Sequence, residues 1–190
     1  MNKEETLVSI LMEKGYHIVF AESCTAGLAA ARLVNVPNAS TVLDVSFITY
    51  ANEAKIKILG VNPETIDRFG VVSEEVAGEM AEGAAVYMVE QDNTNEDALK
   101  NADGTMIAAD GVEQEKMCQI KQIGVGISGI AGPGGGTPEK PVGTVSFGIS
   151  IGGKKARTWL MHFGNPGRAE VRNMSVDFIY DRLIEELKGL

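Results

Sequence analysis

Two apolar runs, His17–Ala21 (HIVFA) and Ile123–Ser128 (IGVGIS), each stop abruptly at a cluster of small residues. The first passes through AESCTAG into LAAARLV, a string of strong helix formers. The second passes into GIAGPGGGTPEKP, a loop rich in glycine and proline. Short buried strands separated by helices predict an open sheet with helices on both faces, and such sheets bind ligands beyond the carboxyl ends of their strands. The two small-residue clusters fall at those ends.

The rest of the chain supplies the helices. Leu7, Ile10 and Leu11 recur at helical spacing, and Gly15 follows as a C-cap. LAAARLV ends before Pro37-Asn38, and VSFITY reads as a β-branched and aromatic strand. NEAKIKIL predicts a helix with Asn52 as N-cap and Gly60 as stop, and PETIDRF predicts a short one ending at Gly70. Ser73 opens a long helical run, EEVAGEMAEGAAVYMVEQ. VGTVSFGISI and KARTWLMHF read as strands joined near Gly152-Gly153, so at least one strand is antiparallel. RAEVRNMSVDFIYDRLIEELKGL closes the chain as an amphipathic helix. The fold expected is a three-layer α/β/α sandwich with a mixed, mostly parallel sheet. It forms one domain over 1–190, interrupted by an acidic insertion at 92–121, where seven acids face three lysines. That segment reads as an exposed excursion with room for a short hairpin or helix.

Charge and composition narrow the classes of function. A net charge of −9 argues against nucleic acid as a partner, because neutralising phosphates needs clustered Lys and Arg. No apolar run approaches the roughly 18–20 residues of a membrane span, and MNKEETLVSILMEKGY lacks the apolar core of a signal peptide. A cytoplasmic protein with Cys24 and Cys118 reduced is expected. Two Cys and two His at scattered positions offer no metal-ligand spacing, so neither a metal nor another cofactor is predicted.

Several side chains suit chemistry. Ser23 and Thr25 stand where a helix would begin, and there they fit either an N-cap or a wall of an anion pocket. Cys24 reads as a buried thiol. Lys55 falls in the first turn of its predicted helix, where it is either a solvated cation or, in an apolar pocket, a general base for a serine hydroxyl. Ser40 lies ten residues before Tyr50 and is a candidate for that hydroxyl. Six glycines between 129 and 143 are costly to order unless the backbone must approach something closely. Neither a phosphate-binding GK[ST] ending nor a helix follows them, so this is not a P-loop or dinucleotide fingerprint. Arg168 opens the last helix against its dipole, a misfit of about 0.3–1 kcal/mol, which suits a residue gripping a phosphate or carboxylate.

Taken together, AESCTAG, VPNAS, TYANEAKIKILGV, GVVSEEVAGEMAEGA, SGIAGPGGGTPEKPVGTV and FGNPGR, in this order and spacing, resemble the C-terminal domain of the competence/damage-inducible CinA family. The likeness covers nearly all of residues 3–188 apart from the acidic stretch, and points to the stand-alone nicotinamide-nucleotide amidases. The resemblance implies hydrolysis of nicotinamide mononucleotide to nicotinate mononucleotide and ammonia by a serine, lysine and tyrosine, without a metal. By motif position it implies Ser40, Tyr50 and Lys55 as catalytic residues. Ser128, which opens the loop with Gly129, joins them at the oxyanion. It also implies that Arg168 and the helix N-terminus after Thr25 bind the phosphate, with Ser23 lining the pocket. Ser23 is the rival nucleophile. A homodimer or other homo-oligomer is expected. Ala26 and Ser46 stand where the family usually has glycine, and PNAS replaces PGSS. The alternative is a nucleotide- or partner-binding domain that keeps the fold without turnover.

Overall fold

The computed structural model describes residues 1–98 and 121–190, with the side chains of 1–87 and 121–190. The elements run α1 (Lys3–Lys14), β1 (Tyr16–Glu22), α2 (Leu28–Leu33), a 3-10 turn (Ala39–Thr41), β2 (Leu43–Ile48), α3 (Asn52–Leu59), α4 (Pro63–Phe69), α5 (Glu74–Ala98), β3 (Lys121–Gly129), β4 (Thr144–Ile151), β5 (Arg157–His162) and α6 (Arg168–Lys188). The sheet order is β2-β1-β3-β4-β5. β1 pairs in parallel with β2 and β3, whereas β4 is antiparallel to both its neighbours. Four strands therefore point one way and β4 opposes them, as the predicted hairpin requires.

The period of two along β1 divides the core. Ile18 and Phe20 face α1, α2 and α6, while Val19 and Ala21 face α3 and α5. This is the expected three-layer sandwich. Ile123, Val125 and Ile127 of β3 fill the first face; Gly124 and Gly126 turn to the second. A Cβ on Gly124 would stand 1.9 Å from the Ala81 carbonyl oxygen, so the long helix α5 lies against bare backbone here. Small residues on both sides bring helix and sheet closer than ordinary side chains permit. On the first face Arg32 ties α2 to Glu4 of α1 and Asp177 of α6.

Two local expectations shift. Asn52 is the first residue of α3, not its cap; Ala51 takes the extended N-cap position without a side-chain bond. Within the acidic stretch, which left room for a short hairpin or helix, residues 92–98 continue α5, and Lys121 opens β3. The remainder of that stretch, with Cys118, lies outside the described residues. Gly152 and Gly153, at φ 62° and 68°, open the β4–β5 connection in the left-handed conformation that tight hairpins need. Among the described residues, no helix is long and apolar enough to cross a membrane.

The parallel strands end on a common edge. From β1 the chain departs toward β2, and from β3 it departs toward β4. The crevice between these two departures is the switch point at which open α/β sheets hold their ligands.

Candidate active site at the carboxyl edge of the sheet

Ser23 extends the β1–β3 ladder by one bond, its N–H donating to the Ile127 carbonyl at 2.9 Å. The chain then turns sharply through Ala26 (φ 48°) and Gly27 (φ 87°) into α2. Neither Ser23 nor Thr25 caps that helix. Glu22, fully buried, does so from below: its carboxylate accepts from the N–H groups of Gly27, Ala29 and Ala30 at 3.0–3.1 Å. The expected phosphate seat at this helix N-terminus is therefore already filled by an anion of the chain itself. Relieved of capping, Ser23 is half-buried with its hydroxyl turned elsewhere.

That hydroxyl accepts a hydrogen bond from the Lys55 ammonium at 3.3 Å. Lys55 also donates to the Thr49 carbonyl at 2.6 Å, and its side chain is fully buried. It lies in the first turn of α3, the helix that follows β2, so its stem points back toward the carboxyl edge. Burial lowers its pKa from the ordinary 10.5, because a charged amine is poorly solvated there. A lysine of this kind passes more readily into the neutral form that accepts a proton.

Ser40 is placed differently. It is exposed in the 3-10 turn before β2, and the neighbouring Val42 carbonyl accepts from Ile18 N–H at 2.7 Å. Ile18 lies five residues before Ser23 along β1, about 16 Å at strand rise, so the turn that carries Ser40 sits toward the opposite edge of the sheet. Pairing Ser40 with Lys55 fails for this reason: motif order along the chain does not record which strand edge a residue reaches.

The other predicted residues surround Ser23 and Lys55 unequally. Tyr50 is 59% exposed, and its phenol oxygen accepts from Arg168 at 3.1 Å; its hydroxyl makes no hydrogen bond to Lys55. Arg168 also donates to the Gly132 carbonyl at 2.9 Å, which joins α6 to the glycine-rich loop. The Ser128 hydroxyl donates to the Val71 carbonyl at 2.7 Å, so its proton is committed and is not offered to an oxyanion. Gly129 packs tightly: a Cβ there would stand 2.7 Å from Val145 and 3.0 Å from the Cys24 sulfur. Cys24 is buried, and burial pushes its thiol up to about 12, which leaves it unreactive near neutral pH. Thr25 is buried with its hydroxyl unbonded among the described residues.

Two contributors escape the sequence reading. Arg172, one turn beyond Arg168, donates to the Thr25 carbonyl at 2.7 Å and steadies the turn after Ser23. Its spacing of four from Arg168 was the available signal. The N–H groups of Cys24 and Thr25 bond no backbone carbonyl among the described residues and lie against the Cys24 sulfur. They follow Ser23 directly, where donors to an oxyanion are wanted.

A family model for the CinA C-terminal domain matches residues 1–92 and 105–187. The chain belongs to the CinA C-terminal domain family. The match skips 93–104, inside the acidic stretch. A CinA-like protein of Kosmotoga olearia is 43% identical over 178 residues, covering 94% of this chain and 35% of its own length. A putative competence-damage inducible protein of Alkaliphilus oremlandii is 38% identical over 184 residues, covering 97% of this chain and 37% of its own. This CinA domain therefore spans little more than a third of those curated relatives. Solved structures match over the whole length. The competence/damage inducible protein CihA from Agrobacterium tumefaciens is 32% identical, with a TM-score of 0.73 over 99% of this chain and 97% of that one. A CinA superfamily protein from Klebsiella pneumoniae is 27% identical, with a TM-score of 0.76 over 100% of both.

Proposed function

We propose that this CinA domain is an amidohydrolase that converts nicotinamide mononucleotide to nicotinate mononucleotide and ammonia, with Ser23 as nucleophile and Lys55 as base. The substrate rests on the likeness of the sequence motifs to nicotinamide-nucleotide amidases. The chemistry rests on one observation: a buried lysine of lowered pKa in hydrogen-bond contact with a half-buried serine at the ligand edge of the sheet.

The neutral Lys55 amine takes the Ser23 hydroxyl proton as the oxygen attacks the carboxamide carbon. The C–O bond forms, and the carbonyl electrons move onto an oxygen held by the N–H groups of Cys24 and Thr25. When the carbonyl reforms, the C–N bond breaks, and the departing nitrogen takes the proton back from Lys55 and leaves as ammonia. Lys55 then takes a proton from water as the water oxygen attacks the ester carbon; the bond from that carbon to Ser23 Oγ breaks, Oγ takes the proton back from Lys55, and the acid leaves. Thr49, by accepting from Lys55, fixes one N–H and directs the remaining nitrogen valences toward Ser23. Arg168 and the free N–H groups of Gly134, Gly135 and Gly136, which donate to nothing among the described residues, hold the phosphate.

The test is ammonia release from nicotinamide mononucleotide by the purified protein, with the product identified by mass. Stoichiometric nicotinate mononucleotide supports the reading. Saturable binding without ammonia at any substrate concentration would replace it with a non-catalytic nucleotide-binding domain.

A further inference from the structure

Ser128 and Lys140, on different segments, converge on a single turn. The turn joining α4 to α5 presents four consecutive carbonyls, and side chains engage every one. Phe69 and Val72 accept from the Lys140 ammonium at 2.5 and 2.6 Å. Gly70 accepts from Ser73 Oγ at 2.8 Å, and Val71 accepts from Ser128 Oγ at 2.7 Å. A Cβ on Gly70 would come within 3.3 Å of Lys140 Nζ, so the absence of a side chain there leaves room for the ammonium. Lys140 is itself held by a reciprocal turn: its N–H donates to Thr137 Oγ1 at 3.0 Å, and its carbonyl accepts from Thr137 N–H at 2.9 Å. The ammonium thus bridges two backbone carbonyls of the turn, Phe69 and Val72.

We propose that Lys140 is the positioning residue that sets the glycine-rich loop over the active site, and through it the anion grip of Arg168. The loop over residues 130–143 has no regular structure of its own, and five of its residues are glycine. Such a segment stays ordered only where something beyond its own backbone holds it. Lys140 supplies that hold at one end. At the other end the Gly132 carbonyl bonds Arg168. Ser128 fastens β3 to the same turn, which makes it a second positioning residue, not a donor to the reacting atoms. A charged donor with two carbonyl partners is among the stronger hydrogen-bonding arrangements. The link to substrate rests on the amidase reading above; the latch itself does not.

Amide hydrogen exchange and steady-state kinetics of Lys140→Met and Lys140→Arg test it together. In Lys140→Met the amides of 130–143 and 69–73 exchange at least about tenfold faster, while those of β3 and β4 keep their rates. KM for nicotinamide mononucleotide rises about tenfold with kcat within about threefold, since binding is lost more than chemistry. Lys140→Arg, which keeps a charged donor, restores both. Wild-type exchange in the loop of Lys140→Met overturns the latch, whether or not the protein hydrolyses this substrate. Faster loop exchange with unchanged KM in an active enzyme overturns its role in positioning. If β3 and β4 also open in Lys140→Met, Lys140→Gln is read the same way. Opening of the whole sheet in that variant too makes Lys140 a general stability element and overturns the proposal. A wild type that releases no ammonia disproves the amidase reading alone, and the exchange result still decides the latch.

Discussion

Ser23→Ala and Ser40→Ala, assayed side by side, separate the two nucleophiles that the motifs allow. The turn holding Ser40 is bonded beside Ile18, and Ser23 lies five extended residues further along β1. At about 3.3 Å per residue that is roughly 16 Å, against the roughly 2.6–3.2 Å over which a general base takes a proton. Lys55 touches Ser23 and has no route to Ser40. Ser23→Ala therefore removes the nucleophile and lowers kcat/KM on the order of 10⁴-fold or more, whereas Ser40→Ala stays within about twofold. Neither change threatens the fold. Ser23 Oγ gives up one hydrogen bond of 3.3 Å, about 1 kcal/mol, and exposed Ser40 moves stability by about 0.5 kcal/mol at most. The assay is ammonia release from nicotinamide mononucleotide, with thermal melts of the same samples. Quenched wild-type enzyme analysed by mass carries the acyl group on the peptide containing Ser23. A Ser23→Ala enzyme with more than a tenth of wild-type activity, or a folded Ser40→Ala enzyme without activity, refutes the assignment.

Lys55 and the turn after Ser23 give further outcomes. Lys55→Met lowers kcat/KM by about 10²–10⁴-fold, the usual contribution of a positioned base, and unchanged kcat excludes it from that role. The activity of the wild type rises with pH along a limb set by Lys55, at a pKa below 10.5. Its stability also rises with pH between that lowered value and 10.5, because the unfolded chain there holds the proton that the folded chain has shed. The penalty is full below the lowered value and gone above 10.5, and urea titrations at several pH values show this slope in the wild type and not in Lys55→Met. Ala26→Gly stabilises the domain by about 1 kcal/mol, since Ala26 is held at φ 48°, where a Cβ is strained. An unchanged or lower urea midpoint contradicts that account.

Much of the architecture is legible in the sequence. HIVFA alternates Ile18 and Phe20 with Val19 and Ala21, and the alternation alone sends them to opposite faces of the sheet. Gly15, Gly60 and Gly70 end their helices as their positions in the sequence predict, because a left-handed or open cap needs no partner from elsewhere. The boundary at 92 is the part that moves: residues 92–98, polar as they are, continue α5, because a polar composition does not by itself separate a helix from a loop.

The site itself was only half legible. Lys55, Ser23, Ser128 and Arg168 could be named from residue type and motif, yet their partners could not. Lys55 meets a serine 32 positions earlier because β1 lies beside β2 in a particular register, and Ser40 is excluded by the same register. Glu22 closes the helix end that the motif leaves open to a phosphate, and Lys140 finds its carbonyls some 70 residues upstream. Sequence alone determined which segments become strands and helices and where their small-residue junctions fall, since those follow from contacts within a few residues. Only the tertiary structure decided which hydroxyl faces the buried amine. Strand order and register set that distance, and they arise from burying two faces of a whole sheet at once, which no local pattern encodes.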